Sequence, residues 1–310
     1  MKRRSFLASS GALAAGLAAT GAPRSARAAS TDPARQKSIG LQLFTVMANL
    51  EKDFEGTLRK VADTGYREVE TIGAFGRDPA MVRDLLDKYG LVSPSQHLVP
   101  GDLYDVFSSF TTRNMSTDDV RKHWLSVMSI DKVDSIIEQG IERAGVLGQR
   151  YIVWQIIWPE QMATRKLTED FARAMDRAGE ICSKAGFVFC FHNHDIEMKK
   201  VDDFIPYDVI LANTNPDKVK LEIDVFWAHK AGADVGKYFA QHPGRFLQCH
   251  LKDSTADGDF ATVGQGVLDF PKLLAQARDA GIRHYYVEYD RSADPLRAIR
   301  ESFAYLSKLF

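Results

Sequence analysis

From Ile39 onward, short runs rich in β-branched and aromatic residues alternate with longer stretches whose apolar positions recur every three or four residues. The short runs read as strands buried on both faces and the longer stretches as amphipathic helices. Strands are expected at Ile39–Phe44, Arg67–Glu70, Val92–His97, Tyr151–Gln155, Phe187–Asn193, Val219–Asp224, Phe246–Lys252 and Tyr285–Tyr289. Helices are expected at Phe54–Thr64, Pro79–Tyr89, Lys132–Leu147, Thr168–Ala185, Val201–Ala212, Ala231–Gln241, Phe270–Ala280 and Asp294–Leu309. Gly65, Gly90, Gly186 and Gly281 each follow a predicted helix, where glycine supplies the left-handed cap that other residues resist. Successive strand-then-helix units predict an α/β fold with a parallel sheet. Closing that sheet into a (β/α)₈ barrel over residues 38–310 removes both exposed edges. An open doubly wound sheet would be expected to carry a glycine-rich phosphate loop after its first strand, and Gln42-Leu43-Phe44-Thr45 is not one.

The long connection from His97 to Ile130 carries Phe107, Phe110 and Trp124. In a barrel it falls on the catalytic face, as a lid or pocket wall, or else as a contact in a homo-oligomer.

The first residues follow different rules. Lys2, Arg3 and Arg4 precede an Ala/Gly/Leu stretch that reaches about Ala22, and Ala26-Arg27-Ala28 has the form of a cleavage site. The Arg3-Arg4 pair before Phe6-Leu7 resembles a twin-arginine export signal. Residues 1–28 are therefore expected to be a leader, residues 29–37 a loose segment, and the mature protein periplasmic or otherwise exported. The apolar stretch is too short and too poor in large aliphatic residues for stable membrane insertion.

Removing the leader takes five of the 40 basic residues and none of the 41 acids, leaving a net charge of −6. That balance argues against nucleic acid as a partner, since nucleic-acid binding needs a basic face. The cysteines are Cys182, Cys190 and Cys249, an odd number that cannot form a full disulfide framework. They are expected to be buried free thiols.

Active sites on such barrels stand at the C-terminal ends of the strands. There the sequence places His97, His192-Asn193-His194-Asp195 with Glu197 just beyond, Glu222-Ile223-Asp224, His250-Leu251-Lys252-Asp253 and Glu288-Tyr289-Asp290. Titratable groups at the ends of buried strands need partners. Mixed carboxylates and imidazoles suit a divalent ion such as Mn, Zn, Co or Mg. Strand alternation puts Glu222 with Asp224, His250 with Lys252, and His192 with His194 on common faces. A structural ion-pair network is the alternative.

The opening Ile39-Gly40-Leu41-Gln42-Leu43-Phe44-Thr45-Val46, Gly65-Tyr66 with Val69-Glu70, and the His192–Asp195 block are similar to the xylose isomerase-like sugar phosphate isomerase/epimerase barrels. So are Asp224 with Trp227, Gly244-Arg245, His250–Asp253, Val263–Gly266 and Asp269-Phe270, a resemblance spanning nearly all of the chain after the leader. It implies a TIM barrel whose divalent metal is held by acids and a histidine from strands five to eight. Carried over residue by residue, Asp224, His250 and Glu288 are the matching ligands. On strand five many relatives end in Glu-Asn-His, whereas this chain has His192 in the first place. Either His192 replaces the acid or Glu197 reaches back; Glu197 is favoured because a hard ion prefers oxygen.

The chemistry implied is proton abstraction beside a carbonyl, with the metal stabilising the enediolate. Glu288 or Glu197 would take the proton, and His97, His194 or Lys252 would return it or protonate oxygen. Lys252 reads as a cation for substrate oxygen, with an ion pair to Glu222 or Asp253 as the alternative. Trp227, Trp154 and Trp158 could wall a sugar ring or fill the core, and Glu70 could bind a substrate hydroxyl or serve structure. The expected substrate is a small, unphosphorylated carbohydrate or polyol. Isomerase or epimerase is the leading class, a lyase or dehydratase on the same site the next, and a non-catalytic carbohydrate sensor the third.

Overall fold

The computed structural model describes residues 39–101, 103–111 and 115–310. The expected leader over 1–28, the loose segment over 29–37 and the side chain of Phe110 lie outside the described residues. The strands are β1 (Ile39–Gln42), β2 (Glu68–Ile72), β3 (Val92–His97), β4 (Tyr151–Trp154), β5 (Val188–His192), β6 (Val219–Asp224), β7 (Phe246–Leu251), β8 (Asp253–Ser254), β9 (Phe260–Ala261) and β10 (His284–Val287). Eight of them close in the order β1-β10-β7-β6-β5-β4-β3-β2, and β8 and β9 form a separate two-stranded sheet. Every pairing around the barrel is parallel, including the closing pair of β1 and β10.

The expected rhythm holds, with two instructive departures. Residues Leu43–Val46 after β1 wind into a 3₁₀ turn, begun by the Gln42 side chain accepting from the Phe44 N–H. The helix expected over Ala231–Gln241 starts later, at Val235–Gln241, and an unexpected short helix, Val225–Lys230, precedes it; each is started by an aspartate, Asp234 and Asp224 respectively. Local side-chain capping ends and restarts elements where apolar periodicity alone cannot.

Alternation sorts the strand residues. Leu41, Val69, Phe191, Leu221 and Ile223 belong to the buried apolar layer between strands and helices. Gln42, Glu70, Ser95, His192, Glu222 and His250 face a polar interior where they bond one another. Gly40 sits on that inner face, where Tyr286 fills the space: an added Cβ would lie 2.6 Å from Tyr286 Cδ1 and 2.9 Å from the Tyr285 carbonyl oxygen. Because the second contact is backbone, Gly40→Ala is expected to lower stability by about 1–3 kcal/mol, the usual cost of overpacking. A urea titration would measure it.

Cys182, Cys190 and Cys249 are free and buried. Burial pushes all three thiols up, Cys182 to about 12. A thiolate reagent at pH 8 should therefore leave the folded protein untouched and modify all three once it is denatured. Among the described residues no helix is long and apolar enough to cross a membrane.

The long connection after β3 contains helices Leu103–Thr111 and Thr117–Val127. They meet through Phe107 and Trp124, ring centroids 5.7 Å apart, and Phe107 also meets Phe44 just past the end of β1. The connection is thus a helical wall anchored beside the C-terminal end of the barrel.

Candidate active site

Parallel register gathers the strand-end residues in two tiers. His192 lies opposite Glu222, Asp224 opposite His250, and Gln42 opposite Glu70, which in turn faces Ser95. The inner tier centres on two carboxylates, Glu70 and Glu222. Glu222 Oε2 lies 2.9 Å from His97 Nε2, 2.9 Å from His192 Nδ1 and 3.2 Å from His250 Nε2. Glu70 Oε2 lies 2.7 Å from His250 Nε2 and 3.2 Å from His97 Nε2. Gln42 Nε2 donates to Glu70 Oε2 at 2.7 Å, and the Ser95 hydroxyl donates to Oε1 at 2.5 Å.

The outer tier comprises Asp224, Glu288, Lys252 and Asp290. Lys252 Nζ lies 3.1 Å from Asp224 Oδ2, 2.8 Å from Glu288 Oε2 and 2.8 Å from Asp290 Oδ1. His250 joins the tiers, its Nδ1 being 2.7 Å from Glu288 Oε2. Trp227 covers one side, its ring centroid 5.6 Å from Lys252 Nζ and 5.2 Å from that of His194.

Burial and charge compete at each of these groups. Burial would drive the Lys252 ammonium towards neutrality, but the charges of Asp224, Asp290 and Glu288 outweigh it and hold the pKa well above the ordinary lysine value. Burial favours protonated Glu288, but Lys252 and His250 outweigh it and hold the carboxyl well below the usual range. Glu70 is likewise kept ionised against its burial by His97 and His250. For Glu222, burial and the charge of Glu70 are outweighed by His250 and His192. His97, between these two carboxylates, is raised to about 9 despite burial. Asp224 differs: burial raises it in spite of Lys252 and His250, so this carboxylate is short of positive charge.

Among the described residues, two groups of side chains have the donor types for a metal ion: His97, His192, Glu222 and His250, and separately Asp224, His250 and Glu288. In the first, three ring nitrogens converge on Glu222 Oε2 itself, the geometry of a hydrogen-bond hub. The second fits a divalent cation better. It offers two carboxylates and one imidazole, all buried, with ligand atoms within 4.8 Å of one another, and Asp224 Oδ2 has no aligned hydrogen-bond donor. His192 Nε2 stands 3.7 Å from Asp224 Oδ2 and is the nearest further donor from strand five. Burial, aided by the charge of His250, holds His192 neutral, the form in which imidazole binds metals.

Other expected residues stand elsewhere. Glu197 is not gathered into either group. Its Oε2 accepts the His194 N–H at 2.9 Å and caps the short helix Asp195–Met198. Burial raises its carboxyl to about 8. Glu197, expected to reach back to the ion as an oxygen ligand, instead completes a capping box at this helix start. Trp154 is fully buried, donates its indole N–H to the Ile156 carbonyl and meets Phe171 edge-on, so it belongs to the core and does not wall a sugar. Glu70 is fully buried in the inner tier, with Gln42, Ser95 and His250 on its two oxygens, and does not reach the mouth. His97 is held in the inner tier, away from the proton-returning position expected for it. His194 remains half-buried at the mouth, kept neutral by burial and by Lys252 at about 3, with Nδ1 lacking a partner.

Gln42 and Ser95 were not expected as functional, and Asp290 was placed at the strand end without a role. Their signal was a polar residue inside or just beyond a strand that is otherwise buried. Asp253, read as a partner for Lys252, instead accepts the N–H groups of Ser254, Gly264, Gly266 and Leu268 and fixes the loop beyond β7. A depression of about 350 Å³ lined by Arg150, Lys218, Lys220 and Arg283 lies at the opposite, N-terminal end of the barrel and has no part in this chemistry.

Comparison with known proteins agrees with this architecture. The inosose dehydratase of Lacticaseibacillus casei is 23% identical over 283 residues, covering 84% of this chain and 89% of that protein. The inosose dehydratase of Salmonella typhimurium strain LT2 is 23% identical over 256 residues, covering 73% and 77%. Among solved structures, a sugar phosphate isomerase/epimerase from Parabacteroides distasonis superposes with a TM-score of 0.71 at 25% identity, covering 91% of this chain and 97% of that one. Residues 58–309 match the family described as xylose isomerase-like TIM barrel. With its closed eight-stranded parallel barrel and that match, the chain belongs to the xylose isomerase-like TIM barrel family.

Proposed function

We propose that the protein is a metal-dependent enzyme that moves a proton at a carbon beside a carbonyl in a small polyhydroxylated aldehyde or ketone. The observation that carries this reading is the buried Asp224–His250–Glu288 group with the Lys252 ammonium set between its two carboxylates. Asp224, His250 and Glu288, joined by His192, would hold the ion. A divalent ion there supplies Lewis-acid polarisation of the substrate carbonyl.

The remaining steps belong to the chain's own side chains. Glu288 is kept ionised by Lys252 and His250 and can accept the carbon-bound proton. Lys252 places a fixed positive charge where negative charge develops on oxygen, in a site from which bulk water is excluded. His194 and the Trp227 indole N–H, which has no hydrogen-bond partner, are placed to orient hydroxyl groups.

Returning the proton gives epimerisation or isomerisation. Dehydration is the second reading. It is favoured by the Lys252–Asp290 pair, whose carboxyl burial raises to about 6 and which could protonate a departing hydroxyl, and by the inosose dehydratases among the relatives. The export motif in residues 1–28 supports a periplasmic or otherwise exported enzyme and an unphosphorylated substrate.

The test is incubation of the protein, loaded in turn with Mn, Co, Zn and Mg, with a panel of aldoses, ketoses and cyclic keto-polyols in D₂O. Deuterium beside the carbonyl is expected. Loss of water from the same substrate would select dehydration. Absence of exchange and of product with every substrate and metal would defeat the proposal.

A further inference from the structure

The depression at the N-terminal end of the barrel gathers cations from an arc of neighbouring strands. Arg150 stands just before β4, Lys218 just before β6, Lys220 inside β6 and Arg283 just before β10. In the closed sheet β10, β7, β6, β5 and β4 are consecutive neighbours, so barrel closure brings the four to one rim. We propose that this depression is a binding site, separate from the mouth, for the phosphate group of a small anion. The proposal stands apart from the metal-dependent reading of the opposite end.

Charge is the first support. The lining sets these four cations against one acid, Asp217, in a chain whose overall charge is −1. Among the described residues none of the four is in an ion pair with a carboxylate. The nearby Glu180 is engaged by Lys184 instead, at 2.7 Å. A concavity lined by one sign of charge focuses the field and raises the local concentration of the opposite ion. The guanidinium groups of Arg150 and Arg283 can meet phosphate oxygens with paired N–H donors.

The position of Lys220 is the second support. It lies opposite Cys190 in the sheet and two residues before Glu222, so alternation turns it to the inside of the barrel. Inward positions on such strands are usually filled by branched apolar side chains. Here a partly buried ammonium reaches the Gly244 carbonyl in a long hydrogen bond of 3.4 Å. An ammonium carries three donors, so donors remain for an anion. Val188 and Leu247 floor the depression as part of a small apolar cluster inside the barrel. The volume of about 350 Å³ lies at the small end of the range for ligand pockets, which suits a phosphate with a short organic substituent or none.

Titration calorimetry of the full chain with inorganic phosphate and with glycerol phosphate, at an ionic strength held constant with sodium chloride, tests the site. Saturable binding is expected. Lys220→Gln and Arg283→Gln should each weaken it about 10–100-fold, the effect of losing one charge-assisted contact. Arg283 is exposed, so its variant serves if Lys220→Gln does not fold. Lys166→Gln, at an exposed lysine paired with Asp170 near the far end of the helix Arg165–Lys184, should bind as the unmodified protein does. Equal affinity for the two probes would identify the free anion as the ligand, and tighter glycerol phosphate would identify a phosphomonoester. Absence of saturable binding with either probe, affinity unchanged in the folded rim variants, or an equal loss in Lys166→Gln would overturn the inference.

Discussion

On the proposed metal-dependent reading, Asp224→Asn should yield a folded protein that binds no divalent ion and does not turn over substrate. Asparagine keeps the carbonyl oxygen that caps the helix beginning at Val225: Asp224 Oδ1 accepts the N–H groups of Phe226 at 3.0 Å and Trp227 at 3.1 Å. An alanine there would add the loss of a cap, about 0.5–2 kcal/mol, and confuse the outcome. The amide removes the charge of a carboxylate whose pKa burial raises in spite of Lys252 and His250. A direct ligand should matter more than an outer partner, so affinity is expected to fall by more than about a hundredfold. Elemental analysis of the purified variant checks the first part, and the D₂O exchange assay the second. Full metal content with full exchange would refute the assigned site.

Lys252→Met should do the reverse, retaining metal and losing rate. The ammonium lies within 3.1 Å of three carboxylates and is 2% exposed, so methionine can fill its volume without supplying charge. Removing one group that stabilises developing negative charge typically costs about a hundredfold to a thousandfold in kcat. The ammonium also competes with a metal for Asp224 and Glu288, so metal affinity should hold or rise. Without metal, three buried or half-buried acids lose their common partner, and breaking such a set costs about 3–5 kcal/mol. The metal-free variant should therefore melt well below the unmodified protein and recover when a divalent ion is added. Calorimetry with and without metal, together with kcat and KM on the active substrate, separates these effects. A variant with normal kcat would remove Lys252 from the chemistry.

The two variants bracket the electrostatic logic of the barrel mouth. Asp224 has too little positive charge around it and Lys252 has an excess of negative charge. Both imbalances arise because β6, β7 and β10 are neighbours in the closed sheet. In an open arrangement with those strands apart, neither residue would be tolerable at such burial.

Much of this was legible along the chain. Strand and helix signals are local: apolar runs, helical periodicity and a glycine after several of the helices need no distant partner to be read, so β3 and β6 and the helix Phe54–Thr64 fall where the pattern placed them. Acids and imidazoles at successive strand ends point to one mouth in any closed barrel, and among them the family resemblance singled out Asp224, His250 and Glu288 as ligands. What the chain order could not decide was which atom meets which. Glu70 and His250 are 180 residues apart and touch only after β1 pairs with β10. Glu197 lies close to the metal-binding candidates in sequence, yet its carboxylate turns back to a backbone N–H three residues away, because a helix start offers an unsatisfied donor at short range. Composition and periodicity thus determined the scaffold and the kinds of groups at its mouth, since both depend on local order. Barrel closure alone decided their pairing, tier and ring orientation, since hydrogen bonds are set by ångström-scale distances between residues that the sequence keeps far apart.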